Sequence, residues 1–239
     1  MKINWDYIKF FALAILLAFV FWFSQERNQQ RHLTALSVDF LDENLNFITL
    51  KTVNKLLIQN VSEVKSIGKE ALDLNSIEQR LNAHPMIREA DVFVTVDGIL
   101  GANIKQRRPI ARVVSKTSFY IDEEGKAMPL SKVRSARVPI ITGTSINSKA
   151  LLPLLLEIKK DEFMMQHVIG LEVTKKGMIT MRFRVYDFKI HFGKPKNIKR
   201  KFLNLKAFYQ KALKDKKLDS YSLVNLQLNT QVIGTKKAK

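Results

Sequence analysis

One apolar run constrains this chain more than any other feature. From Phe10 to Phe23 it reads FFALAILLAFVFWF, without a charge or a proline. Tyr7 and Ile8 extend the run, and Lys9 can carry its ammonium to an interface along its own methylene stem. Roughly 17 residues are then usable, the short end of what crosses a bilayer as a helix. Leu, Ile, Phe and Val fill ten of its fourteen positions, and at their per-residue insertion energies they favour a span by about 3–6 kcal/mol. A cleaved leader would end in small residues. Here Phe21, Trp22 and Phe23 lead into Ser24, Gln25 and Glu26. Trp5, Tyr7 and Trp22 sit where interfacial aromatics belong, and the run is apolar all round, unlike an amphipathic core helix. The expectation is a transmembrane anchor at 10–23 behind a short cytoplasmic head at 1–9. The flanking charges, Lys2 and Lys9 against Arg27 and Arg31, are nearly balanced. A short head normally stays inside while a long C-terminal part crosses, so the rest is expected outside the membrane.

Behind the anchor, about 200 residues suffice for two small domains. Ser24 to His32 is polar and reads as part of a stalk, 24–33. In Ala35 to Leu41, Leu36, Val38 and Phe40 alternate with polar residues, which predicts a half-buried strand. Thr49 can cap a helix carrying Val53, Leu56, Leu57 and Asn60. Leu74, Ile77 and Leu81 mark a second helix, for which Asn75 and Glu78 fit a capping box and His84-Pro85 a stop. Ala90, Val92, Val94 and Val96 then alternate. Asp97-Gly98 predicts a tight turn, and Ile99 to Ile104 a returning strand. Strand, helix, helix, strand, strand is the expected order of one small αβ domain over 34–108.

From Pro109 the pattern is strand-rich. Short strands are predicted at Ile110–Val114 and Pro139–Gly143, with a hairpin around Asp122-Glu123-Glu124-Gly125 whose acids read as a solvated turn. A helix is expected from about Lys149 to His167. Strands follow at Leu171–Val173, Met178–Val185 and Phe188–Phe192, then an amphipathic helix over Lys199–Lys214. Val224 to Ile233 alternates as a last strand, and 234–239 reads as a basic tail. The fold class expected is therefore α+β: one membrane helix, a small αβ domain, and a mainly antiparallel β domain over 109–233 with packed helices.

Catalysis is not indicated. None of His32, His84, His167 and His191 has a second histidine at ligand spacing, there is no cysteine, and no G-x-S-x-G motif or phosphate-cradling glycine loop occurs. No catalytic, cofactor or metal residue is assigned. The net charge of +18 and pI near 10 fit a nucleic-acid binder, but the basic residues are dispersed and not interleaved with stacking aromatics. Anionic lipid or cell-wall polymer explains the charge equally well.

The motifs Asp73-Leu74, Ile77-Glu78, Leu81, His84-Pro85-Met86-Ile87, Ala90 and Val92 lead into Ile104-Lys105-Gln106-Arg107-Arg108-Pro109-Ile110-Ala111. Tyr120-Ile121-Asp122-Glu123-Glu124-Gly125 and Val138-Pro139-Ile140-Ile141-Thr142-Gly143 follow. In this order they resemble the bacterial division proteins of the FtsQ/DivIB family, in which a polypeptide-transport-associated (POTRA) domain precedes a β domain. Gln106 stands where that family often has Glu, and Met86 where Trp is frequent.

The resemblance implies a non-enzymatic scaffold of the division machinery at the division site of the cytoplasmic membrane. It implies FtsB/DivIC- and FtsL-type partners bound through the β domain, and no cofactor or small-molecule substrate. The C-terminal segment is the expected docking edge, with Tyr221, Leu223, Asn225, Gln227, Asn229, Gln231 and Ile233 as partner-binding residues. Asn225, Gln227, Asn229 and Gln231 form a polar face of amides, which defends an edge poorly. Arg107, Arg108 and Pro109 are candidate domain-junction contacts. Two other classes fit less of the pattern: an envelope-protein assembly factor of POTRA type, and a membrane-tethered nucleic-acid binder.

Overall fold

The computed structural model describes residues 5–29, 32–42, 47–58, 72–144, 146–228 and 231–238. The apolar run forms one helix, α1 (Trp5–Gln29, 25 residues). Residues 9–24 are exposed throughout, including Phe11 at 71 % and Phe21 at 72 %. The helix does not stop at Phe23. It continues through Ser24 to Gln29, where a stalk was expected, because Gln25, Glu26, Arg27 and Gln29 are tolerated in helices and no Gly or Pro interrupts them. Among the described residues no helix is long and apolar enough to cross a membrane. The chain divides into two compact units, Met1–Gln106 and Arg107–Lys239.

The first unit contains β1 (Ala35–Phe40), α2 (Leu50–Leu57), α3 (Leu74–Asn82), β2 (Ile87–Val94) and β3 (Ile99–Gln106). The strands form one sheet in the order β1-β3-β2, with β1 parallel and β2 antiparallel to β3. α2 packs on β1 and α3 on β2. Their buried residues Val53, Leu57, Ile77 and Leu81 share the core with Ala90, Val92, Leu100, Ala102 and Ile104. Thr49 caps α2, its Oγ1 accepting from Thr52 N at 3.2 Å. The cap of α3 is Asp73, not Asn75: its carboxylate accepts from Ser76 N at 3.1 Å. An acid two residues earlier met the first free N–H groups and the helix dipole better than the predicted box. Asn60, expected on α2, lies outside the described residues. The β2–β3 turn needs Gly98, which has φ +82°, and a Cβ there would lie 2.8 Å from His32 O.

The second unit contains β4 (Pro109–Val113), β5 (Phe119–Asp122), β6 (Ala127–Met128), β7 (Ile140–Gly143), α4 (Ser148–Lys160), α5 (Glu162–His167), β8 (Val168–Val173), β9 (Ile179–Phe183), β10 (Lys189–Gly193), α6 (Ile198–Lys214), β11 (Tyr221–Asn225) and β12 (Ile233–Lys236). All nine strands make one sheet, β12-β11-β10-β9-β8-β7-β4-β5-β6. Five neighbouring pairs are antiparallel and three, β10–β11, β4–β7 and β7–β8, are parallel. Leu151, Leu154, Leu155 and Ile158 of α4 and Phe202, Leu205 and Tyr209 of α6 share one core with Ile141, Leu171, Met181, Ile190 and Val224. The single helix expected over 149–167 is two, because Asp161 is extended (φ −93°, ψ 111°). Its carboxylate caps α5, accepting from Met164 N at 3.1 Å and from Lys206 Nζ at 2.5 Å.

Candidate partner-binding edge

The C-terminal segment differs most from its sequence pattern. It is not one strand. β11 ends at Asn225, whose Oδ1 accepts from Gln227 N at 2.9 Å, a side-chain turn that takes the chain out of the sheet. Leu228, which the alternation puts on one face with Val224 and Leu226, is 45 % exposed while those two are buried. The chain returns as β12, antiparallel to β11, with Asn225 opposite Ile233 and Leu223 opposite Thr235. β11 is therefore interior, paired on one side with β10 and on the other with β12. At this end of the sheet the outermost strand among the described residues is β12, and its residues are Ile233, Gly234, Thr235 and Lys236. Of the seven candidate contact residues only Ile233 lies on it. Tyr221, Leu223 and Asn225 belong to β11, Gln227 and Gln231 are exposed in the connection, and Asn229 lies outside the described residues. Lys236, expected in a solvated tail, is the last residue of the edge strand.

Aromatic packing builds this edge. A register shift between Tyr221 and Leu223 lets Tyr221 and Val224 both turn toward α6, although three positions apart. The Tyr221 ring meets Phe208 of α6 edge-on, with centroids 5.0 Å apart. Gly234 of β12 lies against both rings: a Cβ there would fall 2.6 Å from Tyr221 Cε1 and 3.2 Å from Phe208 Cε2. Gly234 is thus required for close approach of the edge strand to the ring. Ser222 Oγ donates to Thr235 O at 3.2 Å and to Lys236 O at 3.3 Å, and Lys237 N to Ser220 O at 2.8 Å. The next residue of α6, Tyr209, packs edge-on among Phe163, His167, Phe183 and Tyr186, so the helix that backs the edge is fixed. Burial, and the neighbouring Tyr186, push the Tyr209 phenol above its usual range.

Lys201 carried no sequence signal. It is 5 % exposed, and its ammonium donates to Phe192 O at 2.7 Å and Lys194 O at 3.1 Å while lying 4.4 Å from the Phe192 ring centroid. It satisfies carbonyls at the end of β10, and burial lowers its pKa. Only its position on the apolar stripe of α6, beside Phe202, could have flagged it.

Arg107 pairs within the second unit, donating to Asp122 Oδ2 at 2.7 Å and Glu124 Oε2 at 3.2 Å. Asp122 is only 2 % exposed and accepts from Lys126 N at 2.7 Å and Glu124 N at 3.0 Å, so it is a structural turn acid and not a solvated one. A hydrogen bond from Lys126, with Arg107 beside it, holds the Glu124 pKa down to about 2 against a partial opposing effect of burial. Arg108 is exposed, and Pro109 opens β4 opposite Asp122. Among the described residues no group of His, Asp and Glu could hold a metal ion.

Residues 108–235 match the family model described as FtsQ/DivIB, C-terminal related. The chain belongs to this family. Residues 34–105 match the POTRA-like domain, and the first unit has its strand-helix-helix-strand-strand order. No curated protein matches the chain. FtsQ/DivIB proteins are non-enzymatic and work in bacterial cell division. In this FtsQ/DivIB chain, Gln106 is buried and its Oε1 accepts from Phe47 N at 3.0 Å and Ile48 N at 3.3 Å.

Proposed function

We propose that this chain is a membrane-anchored, non-catalytic scaffold of the division machinery, and that its second unit takes up an extended segment of an FtsB/DivIC-type partner along β12. The observation that carries the reading is an edge strand with no outer neighbour among the described residues, held flat against α6 by the Phe208–Tyr221–Gly234 contact. Its outward N–H and C=O groups offer a ladder to a partner strand, and exposed Ile233 and Thr235 offer side-chain contacts. FtsL-type proteins join through the same complex. α1 is read as the single span, with the head in the cytoplasm and the POTRA-like and β domains outside. Confinement to the membrane raises the effective concentration of such partners, so a short edge suffices. The POTRA-like unit is read as the contact for upstream components, and Arg108 and Pro109 as residues at the boundary between the units.

The edge test is Lys236→Pro. N–H groups alternate in direction along a strand, and Lys237 N points inward to Ser220, so Lys236 N points outward. Proline there removes one outward donor and leaves the pairing with β11. Partner binding is expected to fall about tenfold, by the loss of roughly one hydrogen bond and the ring's bulk, with an unchanged far-ultraviolet spectrum. Undiminished binding by the folded variant contradicts the edge. Depletion in cells is expected to give filaments, and loss of envelope proteins without filaments would favour the assembly-factor reading.

A further inference from the structure

A second surface of the β unit lies where the parallel strands β4, β7 and β8 begin. A groove of about 550 Å³ opens there between the starts of these strands, the end of α4 and α5. Ile140 (39 % exposed), Met165 (54 %) and Ile169 (36 %) stand open in it beside Pro139. Its charged lining is Arg137, Lys159 and Arg184, with no carboxylate among the lining residues. Lys159 is paired with Glu123. The side chains of Arg137 and Arg184 make no ion pair among the described residues and are exposed. An apolar floor under unpaired cations is the complement of an apolar segment that carries acids.

We infer that this groove binds a short acidic segment of a partner protein, whose aliphatic side chains fill the floor over Ile140, Met165 and Ile169 while its carboxylates meet Arg137 and Arg184. The lining holds no aromatic ring, which disfavours stacked bases of a nucleic acid. The recess is concave, and a flat lipid surface cannot follow it. Cations at the rim of such a site act mainly on association rate and salt dependence, while the apolar floor sets residence. The site is separate from β12 and independent of the docking proposed there: β12 is one end of the sheet, and β4, β7 and β8 lie within it.

The test uses the full chain in neutral detergent and a fluorescein-labelled peptide of alternating Glu and Leu, with the matching Lys-Leu peptide as control. Fluorescence anisotropy should show binding of the Glu peptide only, weakening as salt screens the rim. R137E/R184E should lower the affinity about tenfold, as two exposed charge pairs turned repulsive would. Met165→Asp should lower it while leaving the circular dichroism spectrum intact. R137Q/R184Q serves if the reversed pair fails to fold. Equal binding of the Lys peptide, or wild-type affinity in the folded arginine variants, overturns the inference. If the arginine changes instead abolish binding to phosphatidylglycerol vesicles and leave the peptide unaffected, the site is one for anionic headgroups and the inference is also wrong.

Discussion

The nine-stranded sheet ends in two quite different strands. β6 is two residues long, is followed at once by Pro129, and belongs to a hairpin clamped by the Arg107–Asp122–Glu124 ion pairs. The Tyr120 hydroxyl in the adjacent β5 ties back the following segment, accepting from Ala136 N at 3.0 Å. β12 is four residues long, has no proline, and is braced from behind by aromatic packing instead of being shielded in front. Brevity and proline are the usual means of closing an edge to other chains. One end of the sheet is thus closed and the other, among the described residues, left open, with Lys236 as the only charge on β12.

Gly234→Val should have the largest effect on this contrast. A branched side chain cannot share space with the Tyr221 ring, and overpacking of this kind costs about 1–3 kcal/mol. Loss of protection at Tyr221–Lys236 in hydrogen exchange, with Tyr120–Met128 unchanged, is the expected pattern. Phe208→Ala comes next. It removes one member of the aromatic pair, worth about 0.5–1.5 kcal/mol beyond area, and should loosen β12 without touching β6. Equal loosening of both ends would break the comparison.

Acid should act at the opposite end. The Glu124 pKa is lowered to about 2 from the usual 4.5, chiefly by Lys126. A depressed carboxylate adds stability that is present above its unfolded pKa and lost as pH falls from about 4.5 toward 2. Exchange near Asp122–Lys126 should therefore rise in that window before exchange at β12 does, and Glu124→Gln should remove the difference. The smallest effect is expected of Ser222→Ala, which deletes an exposed hydroxyl donating to Thr235 and Lys236: about 0.5–1 kcal/mol, read as a slight shift in the thermal midpoint.

The POTRA-like unit gives a separate check on how a buried amide works. Gln106→Leu leaves Phe47 N and Ile48 N without their acceptor and should cost about 1–3 kcal/mol in denaturant unfolding.

Periodic elements were legible. The Leu36–Phe40 alternation gave a strand and the Leu74–Leu81 spacing a helix, because burial on one face imposes the period directly, while the apolar run gave a helix by its length and its lack of Gly and Pro. The errors lie where a single polar side chain overrides a pattern. Asp161 splits a helix by capping its successor. Asn225 ends a strand by accepting from Gln227, although the alternation runs on through Val232. Asp122 is buried because Arg107, fifteen residues earlier in sequence, reaches it. None of these partners is visible from local composition. The edge was legible as C-terminal but was assigned to the amide-bearing segment, since nothing in the pattern of Val224–Ile233 shows that the chain turns back on itself. Gly234 and Tyr221, the pair that flattens the edge, meet only once that turn exists.

The chain has no cysteine, so single thiols placed in the sheet report cleanly. Ile233→Cys and Thr235→Cys on β12, and Ala127→Cys on β6, can each be paired in cells with a cysteine scan along the proposed FtsB/DivIC-type partner. The account predicts disulfides from both β12 positions, shifting by two partner residues between them as strand pairing requires, and none from Ala127. Cross-links without that register, or stronger at Ala127 than at Thr235, would contradict it.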